Sequence, residues 1–234
     1  MKRSLTVNIL LALTLLALVI LVALPFWWVV SGSFKLPQEI IARKPTFFPH
    51  SFTLQHYVKL LANSAYTTYV GNSLIVATFS TLITLALAVP AAFAFFRLRF
   101  PGRRTLFRVI LLAYAFPSIV VLIPLFGMFT KLGIIDTLPA LVVVNVAFAL
   151  PFSIWMLRSF FAGVPKEIEE AAVMDGAPPT VILRRVMLPL IAPGMASVAI
   201  FAFITSWTEY VFASVLIISD AKRTVPVGFA GIIG

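Results

Sequence analysis

The chain has 234 residues, of which 61% are hydrophobic and 11% are charged, and its formal net charge is +10. Because soluble globular domains carry about 25% charged residues, this composition excludes an ordinary soluble domain and indicates a polytopic membrane protein. In such a protein the basic excess favours loops that set topology and face anionic lipid, rather than a surface for nucleic acid. The absence of cysteine excludes disulfides and cysteine-based metal sites.

Five apolar segments reach the length of about 20 residues that a helix needs to cross the hydrocarbon core of a bilayer. In chain order they are Leu5–Val30, Thr67–Phe96, Leu106–Phe129, Leu138–Leu157 and Gly194–Ser219. A sixth apolar run begins at Val227 and is too short to span. The sequence therefore predicts an all-α polytopic membrane protein, one transmembrane domain over residues 1–234, with five full helices and the start of a sixth.

The first apolar segment follows Lys2 and Arg3, as the core of a signal peptide would. Signal peptides have an apolar core of about 7–15 residues and a small-residue cleavage site. This segment is much longer and ends in Pro25-Phe26-Trp27-Trp28, which is typical of an aromatic anchor at a membrane interface. We therefore predict a first transmembrane helix, followed by an external loop over residues 31–66.

Basic residues predict the orientation of the chain. More of its 18 lysines and arginines fall on the side of the amino terminus than on the opposite side. Lys2, Arg3 and the basic turn Arg97–Arg104 lie on the richer side, which the positive-inside rule assigns to the cytoplasm. The same rule places residues 159–193 in the cytoplasm. The basic turn is most simply interpreted as a device for topology and lipid head groups.

The polar interval of residues 159–193 begins with a short predicted helix, Pro165–Asp175. Proline suits the first turn of a helix, where its missing N–H costs nothing. Carboxylates follow in the early turns, where they favour the positive end of the helix dipole: Glu167, Glu169 and Glu170. Gly176 can then adopt the left-handed conformation that ends a helix.

A helix of about 11 residues is marginal alone in water, so a partner must hold it. Ile168, Ala171, Ala172 and Asp175 share one face at helical spacing. Adjacent alanines allow a close backbone approach, as insertion into a groove of another protein would require. The alternative is an ordinary loop with an amphipathic helix lying on the membrane.

The order and spacing of Glu170-Ala171-Ala172, Gly176 and Leu188-Pro189 resemble the EAA loop through which ABC importer permeases meet their ATPases. Weaker similarities extend along the chain: Ser33-Phe34-Lys35, Phe52–Tyr57, Asn72-Ser73 and Trp207–Tyr210. Over nearly its whole length the chain resembles the maltose-type, or carbohydrate-uptake-1, family of inner-membrane permeases, on the side of the smaller maltose permease and trehalose-type permeases. It departs from that pattern at Val186, where isoleucine is usual, and at Pro178-Pro179, where small polar residues are usual.

The resemblance implies a type I ABC importer transmembrane domain of six helices, so we expect the sequence to be truncated at its carboxyl end. It implies import of a di- or oligosaccharide, such as maltose or trehalose, by alternating access across the cytoplasmic membrane. The chain is then a transport subunit and not an enzyme. The implied partners are a second, different permease subunit, two ATPase subunits that hold ATP and Mg²⁺, and an extracytoplasmic sugar-binding protein. The chain itself is expected to bind no cofactor.

The resemblance assigns ATPase coupling to eight residues: Glu169, Glu170, Ala171, Ala172, Asp175, Gly176, Leu188 and Pro189. For the substrate path, Glu209 is an ionisable residue inside a predicted span and is by default a functional candidate. Trp207 and Tyr210 lie beside it in sequence, and sugars stack on aromatic faces and bond to carboxylates. Asn72 and Asn145 are further candidates, although hydrogen bonding between helices is their simpler role. Glu209 has an alternative role too, holding the fold near the outer interface.

The absence of certain sequence motifs excludes some classes of function for this chain. No Gly-x-x-x-x-Gly-Lys-[Ser/Thr] sequence occurs, so we expect no P-loop ATP site in this chain. His50 and His56 share one loop, and we expect no metal site there. Two other functions stay open: a secondary transporter driven by an ion gradient, and a membrane enzyme acting on lipid-linked sugar. Importers of polyols and glycerol phosphate share the architecture that the resemblance implies.

Overall fold

A computed structural model describes residues 5–233 of the chain. Within that range the regular secondary structure is helical, and no strand occurs. The predicted topology signal at Lys2 and Arg3 lies outside the described residues. The chain divides into two compact units, Met1–Ser64 and Ala65–Gly234.

The first unit consists of one long helix and a folded loop. Helix α1, Leu5–Ser33, runs past the predicted end at Val30 and contains Pro25. The predicted external loop holds two short helices, α2 (Pro37–Ile40) and α3 (Gln55–Ala62). It is therefore more ordered than the sequence suggested.

The aromatic end of α1 is fastened to this loop. Trp27 Nε1 donates a hydrogen bond to the carbonyl of Phe47 at 3.2 Å, and Ser31 Oγ donates to the same carbonyl at 2.8 Å. The ammonium of Lys35 lies 4.9 Å from the centre of the Trp28 ring. Lys35 is 4% exposed although it is charged, because its ammonium also donates to the carbonyl of Thr46. The two tryptophans therefore anchor the loop as well as the helix end.

The second unit is built on two long helices, α4 (Ser64–Phe96) and α7 (Leu138–Gly163). Pro90 and Pro151 lie inside them without interrupting either helix. Both helices, like α1, are long and apolar enough to cross a membrane singly. Helix α7 continues past the predicted end at Leu157, so the first residues of the predicted coupling interval belong to it.

The predicted third span, Leu106–Phe129, is two helices in the structure. Helix α5 covers Arg103–Tyr114 and α6 covers Ser118–Lys131, and the pair is bent by 95°. The break falls at Pro117, which lacks an N–H and disfavours helical geometry in the residue before it. A single bent pair thus replaces the predicted continuous helix.

The predicted fifth span, Gly194–Ser219, is also broken. After α8 (Lys166–Met174), the chain forms a short α9 (Pro179–Val181), a π-helical turn (Ile182–Met187) and α10 (Leu188–Leu190). The membrane segment then divides into α11 (Ala192–Trp207) and α12 (Val211–Leu216). The last helix, α13 (Val225–Ile233), starts two residues before the predicted start at Val227.

The core of this unit consists of two buried clusters, one at each end of α7. One buried cluster joins α4, α7 and the segment that leads into α11: Ala88, Ala92, Phe93, Leu157, Phe161, Ile182, Met187 and Val198. A second joins the other end of α7 to α6 and α12: Phe129, Leu141, Val144, Phe212 and Leu216. Helix α7 also packs closely on α11, where a Cβ added to Gly194 would lie 2.3 Å from the Phe160 ring. Small residues allow such close approach of membrane helices.

Candidate functional site

The predicted coupling helix is α8, Lys166–Met174, with Pro165 and Asp175 as its two cap residues. Gly176 has a φ of +78°, which confirms the predicted left-handed conformation. The N–H of Gly176 donates to the carbonyl of Val173 at 2.9 Å, and that of Ala177 donates to the carbonyl of Ala172 at 3.0 Å. These two bonds form a Schellman motif, which satisfies the last carbonyls of α8 and turns the chain sharply.

After this turn the chain returns through Pro178 and Pro179. Pro178 is extended and Pro179 opens α9, where proline is well tolerated. The π-helical turn that follows buries Ile182 and Met187 and packs against α8. Leu188 is half-buried against the same core cluster. The unusual Pro178-Pro179 pair is thus compatible with a helical hairpin formed by α8 and the segment from 179 to 190.

The two alanines of α8 have different environments. Ala172 packs against the chain's own core cluster, whereas Ala171 is exposed. Close packing of Ala172 inside its own subunit leaves Ala171 as the alanine available to a partner. The surface beside it carries Glu170 and large apolar side chains, with Val173 56% exposed and Met174 87% exposed. This combination of an acid and exposed apolar groups is typical of a docking surface.

Glu169, predicted as a coupling residue, points into its own subunit. Its Oε2 lies 3.3 Å from Nε of Arg97, and the Arg97 side chain is 8% exposed. The same guanidinium donates to the carbonyls of Phe161 and Val164, the latter at 2.7 Å. Arg97 therefore joins the end of α4, the end of α7 and helix α8.

The sequence analysis did not find this role for Arg97, which it treated as part of a topology signal. The available signal was weak: Arg97 is the first cation after the apolar run of α4, and the partner carbonyls carry no sequence signature. A cavity of about 650 Å³ opens beside the ion pair along α8. Both cations and acids line it, including Arg99, Lys166 and Glu170.

A second cavity of about 350 Å³ lies between the two helix breaks and α7. Tyr114 and Phe116 reach it from the first break, and Phe148 lines it from α7. Its polar groups include Asn145 and Glu209, both predicted for the substrate path. The structure therefore brings these two residues together in an aromatic cavity within the predicted membrane region.

Glu209 lies in the break between α11 and α12. One carboxylate oxygen accepts the N–H of Phe212 at 2.7 Å, and the other accepts that of Ala213 at 2.9 Å. These are free donors of the first turn of α12, so the carboxylate acts as a cap. The cap satisfies N–H groups that the division of the predicted single helix leaves without a helical partner.

Trp207 and Tyr210, predicted to accompany Glu209, do not line this cavity. Trp207 ends α11 and stacks on Phe203, with ring centres 5.8 Å apart. Tyr210 is 46% exposed. The chain leaves the helix between them, so residues that are close in sequence point in different directions.

The two asparagines also separate. Asn145 donates to Ser206 Oγ at 2.9 Å and joins α7 to α11, which confirms the predicted hydrogen bond between helices. Asn72 donates to the carbonyls of Ala221 and Arg223, at 3.0 and 2.9 Å. It connects α4 to the segment before α13 and does not line this cavity, so its place on the substrate path stays a prediction.

Asp136 holds the loop between α6 and α7 and was not found from sequence. It is a non-glycine residue with a positive φ, +57°. Its Oδ1 accepts the N–H groups of Ile218 and Ser219, each at 2.9 Å, and Lys222 lies 3.0 Å from Oδ2. The hydroxyl and N–H of Ser219, followed by Lys222 and the N–H of Ile218, hold the pKa of Asp136 well below its usual value.

Comparisons with known proteins agree over most of the chain. Residues 83–228 match the model of the family described as binding-protein-dependent transport system inner membrane component. The chain is 39% identical to the inner membrane ABC transporter permease protein YcjP of Escherichia coli, over 91% of this chain and 77% of that protein. It is 35% identical to the trehalose/maltose transport system permease protein MalG of Thermococcus litoralis, over 98% of this chain and 83% of that protein.

A solved structure also shares the fold. The chain superposes on a chain of a bacterial ABC transporter involved in the import of the acidic polysaccharide alginate, with a TM-score of 0.81 and 25% identity. The alignment covers 98% of this chain and 81% of that chain. The likeness therefore extends over nearly the whole of this chain.

Proposed function

Because the chain belongs to the family of binding-protein-dependent transport system inner membrane components, we propose that it translocates a sugar as one permease subunit of an ABC importer. Family membership confirms the resemblance inferred from the coupling segment, and the all-helical importer fold is confirmed as well. The chain is a multi-pass membrane protein and a transport subunit. A secondary transporter and a membrane enzyme acting on lipid-linked sugar do not fit this family.

The observation that carries the proposal is helix α8. It is exposed along Glu170, Ala171 and Met174, and it is anchored on its other side through Glu169. A short helix with one anchored side and one apolar exposed side is suited to enter a groove on a partner. That partner would be the ATPase, with ATP and Mg²⁺ bound there and no cofactor bound by this chain.

Arg97 extends this argument to the membrane region. When the ATPases close on ATP and displace α8, the ion pair to Glu169 would carry the displacement to the ends of α4 and α7. Coupling travels through contacts that have discrete arrangements, and a buried ion pair between rigid helices is one such contact. Arg97 acts here as a positioning residue, since it does not touch substrate or nucleotide.

The sugar class is supported by names and by chemistry. The relative from Thermococcus litoralis is named for trehalose and maltose, and the solved neighbour imports alginate. The cavity between the helix breaks offers aromatic faces and the polar groups Asn145 and Glu209. Ligand pockets commonly have volumes of about 300–1,000 Å³, and this cavity falls in that range. A di- or oligosaccharide is therefore the proposed substrate.

The complete importer would contain this chain, a second and different permease, two ATPase subunits and an extracytoplasmic sugar-binding protein. Its amino terminus and α8 would face the cytoplasm, as the distribution of basic residues supports. Alternating access would then expose the cavity to each side in turn.

The test is purification of the tagged full-length chain from its own membranes in mild detergent, with mass spectrometry of the accompanying proteins. We expect a P-loop ATPase and a second permease, and we expect Glu170→Lys to lose the ATPase. Glu167→Lys makes the same charge change in α8 at a residue that is not among the eight assigned to ATPase coupling, and it serves as the comparison. A chain that is recovered alone and still takes up sugar after ATP depletion would overturn the proposal.

A further inference from the structure

Four arginines from two helices of the second unit converge on one cavity. The cavity has a volume of about 380 Å³. Its basic lining comes from both helices: Arg103, Arg104 and Arg108 of α5 and Arg158 of α7. No acidic residue lines it. The sequence itself has no aspartate or glutamate between Glu39 and Asp136, so α4, α5 and α6 supply no counter-charge.

The cations of this cavity lack carboxylate partners. Among residues 5–233, no carboxylate lies within 4.0 Å of Arg104, Arg108 or Arg158. The nearby Arg97 is different, because Glu169 neutralises it. Like charges gathered around one cavity repel each other, and an anion bound between them would remove that repulsion.

Aromatic rings form the floor of the cavity and contact one of these cations, Arg158. The rings of Phe96 and Phe107 meet edge to face with centres 5.0 Å apart, and Phe95 lies 5.7 Å from Phe107. The guanidinium of Arg158 lies 5.4 Å from the centre of the Phe96 ring. A guanidinium stacked on a ring keeps its N–H donors in its own plane, where they can bind phosphate oxygens.

The start of α5 adds to the attraction for an anion. Its N-cap residue is Gly102, and no side chain caps the first turn. Uncapped N–H groups and the helix dipole favour negative charge at this end. An adjoining cavity shares Arg103 and Arg104 with the first and is also lined by Arg99 and Gly102.

Apolar side chains follow the arginines one turn along α5. Leu111 lines the cavity, and Val109 and Leu112 are 55% and 70% exposed beside it. A soluble anion would make no contact with this apolar surface. An amphiphile would contact it, because its acyl chains could lie along α5 while its head group binds the arginines.

We propose that this cavity binds the phosphate head group of an anionic phospholipid, with Arg104, Arg108 and Arg158 as its principal contacts. The lipid bridges α5 and α7 beside Phe96, the neighbour of Arg97. Binding of the lipid therefore stabilises the ends of α4 and α7, to which Arg97 connects α8. Basic pockets between membrane helices are known sites for such head groups.

The test uses the assembled importer in nanodiscs of phosphatidylcholine, with and without phosphatidylglycerol. Lipids that stay bound after mild detergent extraction are measured by native mass spectrometry, together with the thermal midpoint. We expect phosphatidylglycerol to be retained and to raise the midpoint. The double variant Arg108→Gln/Arg158→Gln should bind it about 30-fold more weakly, since each basic contact at a membrane surface contributes a factor of about five.

Two further variants keep the result interpretable. Arg184→Gln/Arg185→Gln removes the same charge from exposed positions of the π-helical turn and should retain the lipid as the wild type does. Arg108→Lys/Arg158→Lys keeps the charge and should retain an intermediate amount. Equal retention of phosphatidylglycerol by the wild type and the Gln double variant would overturn the proposal. A partner subunit that covered the arginines would give this result.

Inorganic phosphate separates a lipid from a free anion. Added to importer in phosphatidylcholine alone, it should leave the thermal midpoint unchanged. An increase as large as that from phosphatidylglycerol, lost in the Gln double variant, would show an anion site without lipid and would overturn the lipid assignment. The measurements rest on the proposed importer assembly but require no transport, so failure of lipid binding is distinguishable from failure of sugar import.

Discussion

Arg97 and Glu169 connect the end of α4 to the coupling helix, with Nε and Oε2 3.3 Å apart. The arginine side chain is 8% exposed and the glutamate 19%, so the pair is shielded from water. Arg97 also donates to carbonyls at the end of α7. Two helix ends and α8 therefore depend on one guanidinium, so movement of α8 can reach the membrane helices through it.

Replacing Arg97 by methionine tests this connection. The change leaves Glu169 and the Phe161 and Val164 carbonyls without their partner. Breaking a largely buried ion pair costs about 3 kcal/mol. We expect sugar uptake in proteoliposomes to fall more than the ATPase rate, because hydrolysis continues while movement is no longer transmitted. Arg99→Met is the matched control, since Arg99 is exposed.

A double-mutant cycle with Glu169→Gln separates the ion pair from other effects of Arg97. If the pair carries the coupling, the double variant should be little worse than Arg97→Met. Additive losses in uptake would contradict the role assigned to the pair.

Replacing Gly176 by valine tests the turn that ends α8. The φ of +78° is strained for a β-branched residue and costs about 1–2 kcal/mol. We expect α8 to be displaced and the amount of co-purified ATPase to fall, while the membrane helices still fold. Gly163→Ala at the end of α7 is the control, because an added Cβ there meets no atom within 4 Å. Unchanged ATPase recovery for Gly176→Val would contradict the prediction.

Replacing Gly194 by alanine tests the contact between α11 and α7. The new Cβ would lie 2.3 Å from the Phe160 ring, so the helices or the ring must move. Overpacking of this kind costs about 1–3 kcal/mol and should lower the thermal midpoint in detergent. Adding Phe160→Ala should restore part of the loss, and a double variant as unstable as the sum of both changes would contradict the explanation. Gly127→Ala in α6 provides an unhindered control.

Asp136 should make stability depend on acid. Hydrogen bonds from Ser219, then Lys222 and Ile218, lower its folded pKa below the ordinary value of 3.8. Its stabilisation is therefore fully present above the unfolded pKa and is lost as the pH falls through the folded pKa. The stability difference between wild type and Asp136→Asn should be constant above about pH 5 and shrink below about pH 4. Thermal unfolding in detergent across this range measures it, and a difference that stays constant in acid would refute the prediction.

Glu209 allows the substrate role to be distinguished from the capping role. Phe148→Leu and Glu209→Gln both alter the cavity, so both should raise the sugar concentration needed for half-maximal uptake. Trp207→Phe should not, because Trp207 lies outside the cavity. If Glu209 only caps α12, Glu209→Gln will destabilise the fold by about 1 kcal/mol and lower the thermal midpoint. The sugar concentration needed for half-maximal uptake will then stay unchanged.

Local sequence was sufficient for the class of protein, the apolar spans and the shape of the coupling segment. Apolar runs identify membrane helices because their length must match the hydrocarbon core. The turn after α8 was predictable because Gly176 and the residues that it bonds are close in sequence. These features depend on neighbouring residues, so a single chain read in order contains them.

Contacts between distant segments could not be predicted from local sequence. Asn72 reaches a carbonyl 149 residues away, and Arg97 reaches one 67 residues away. The helix breaks at Pro117 and Glu209 depend on whether the surrounding helices leave room for a bend and whether the N–H groups freed by it find hydrogen-bond acceptors. Which of Glu209, Trp207 and Tyr210 enters the cavity depends on the direction of the chain after that break. Helix rotation and packing settle such questions, because they choose which faces meet, and no local propensity encodes that choice.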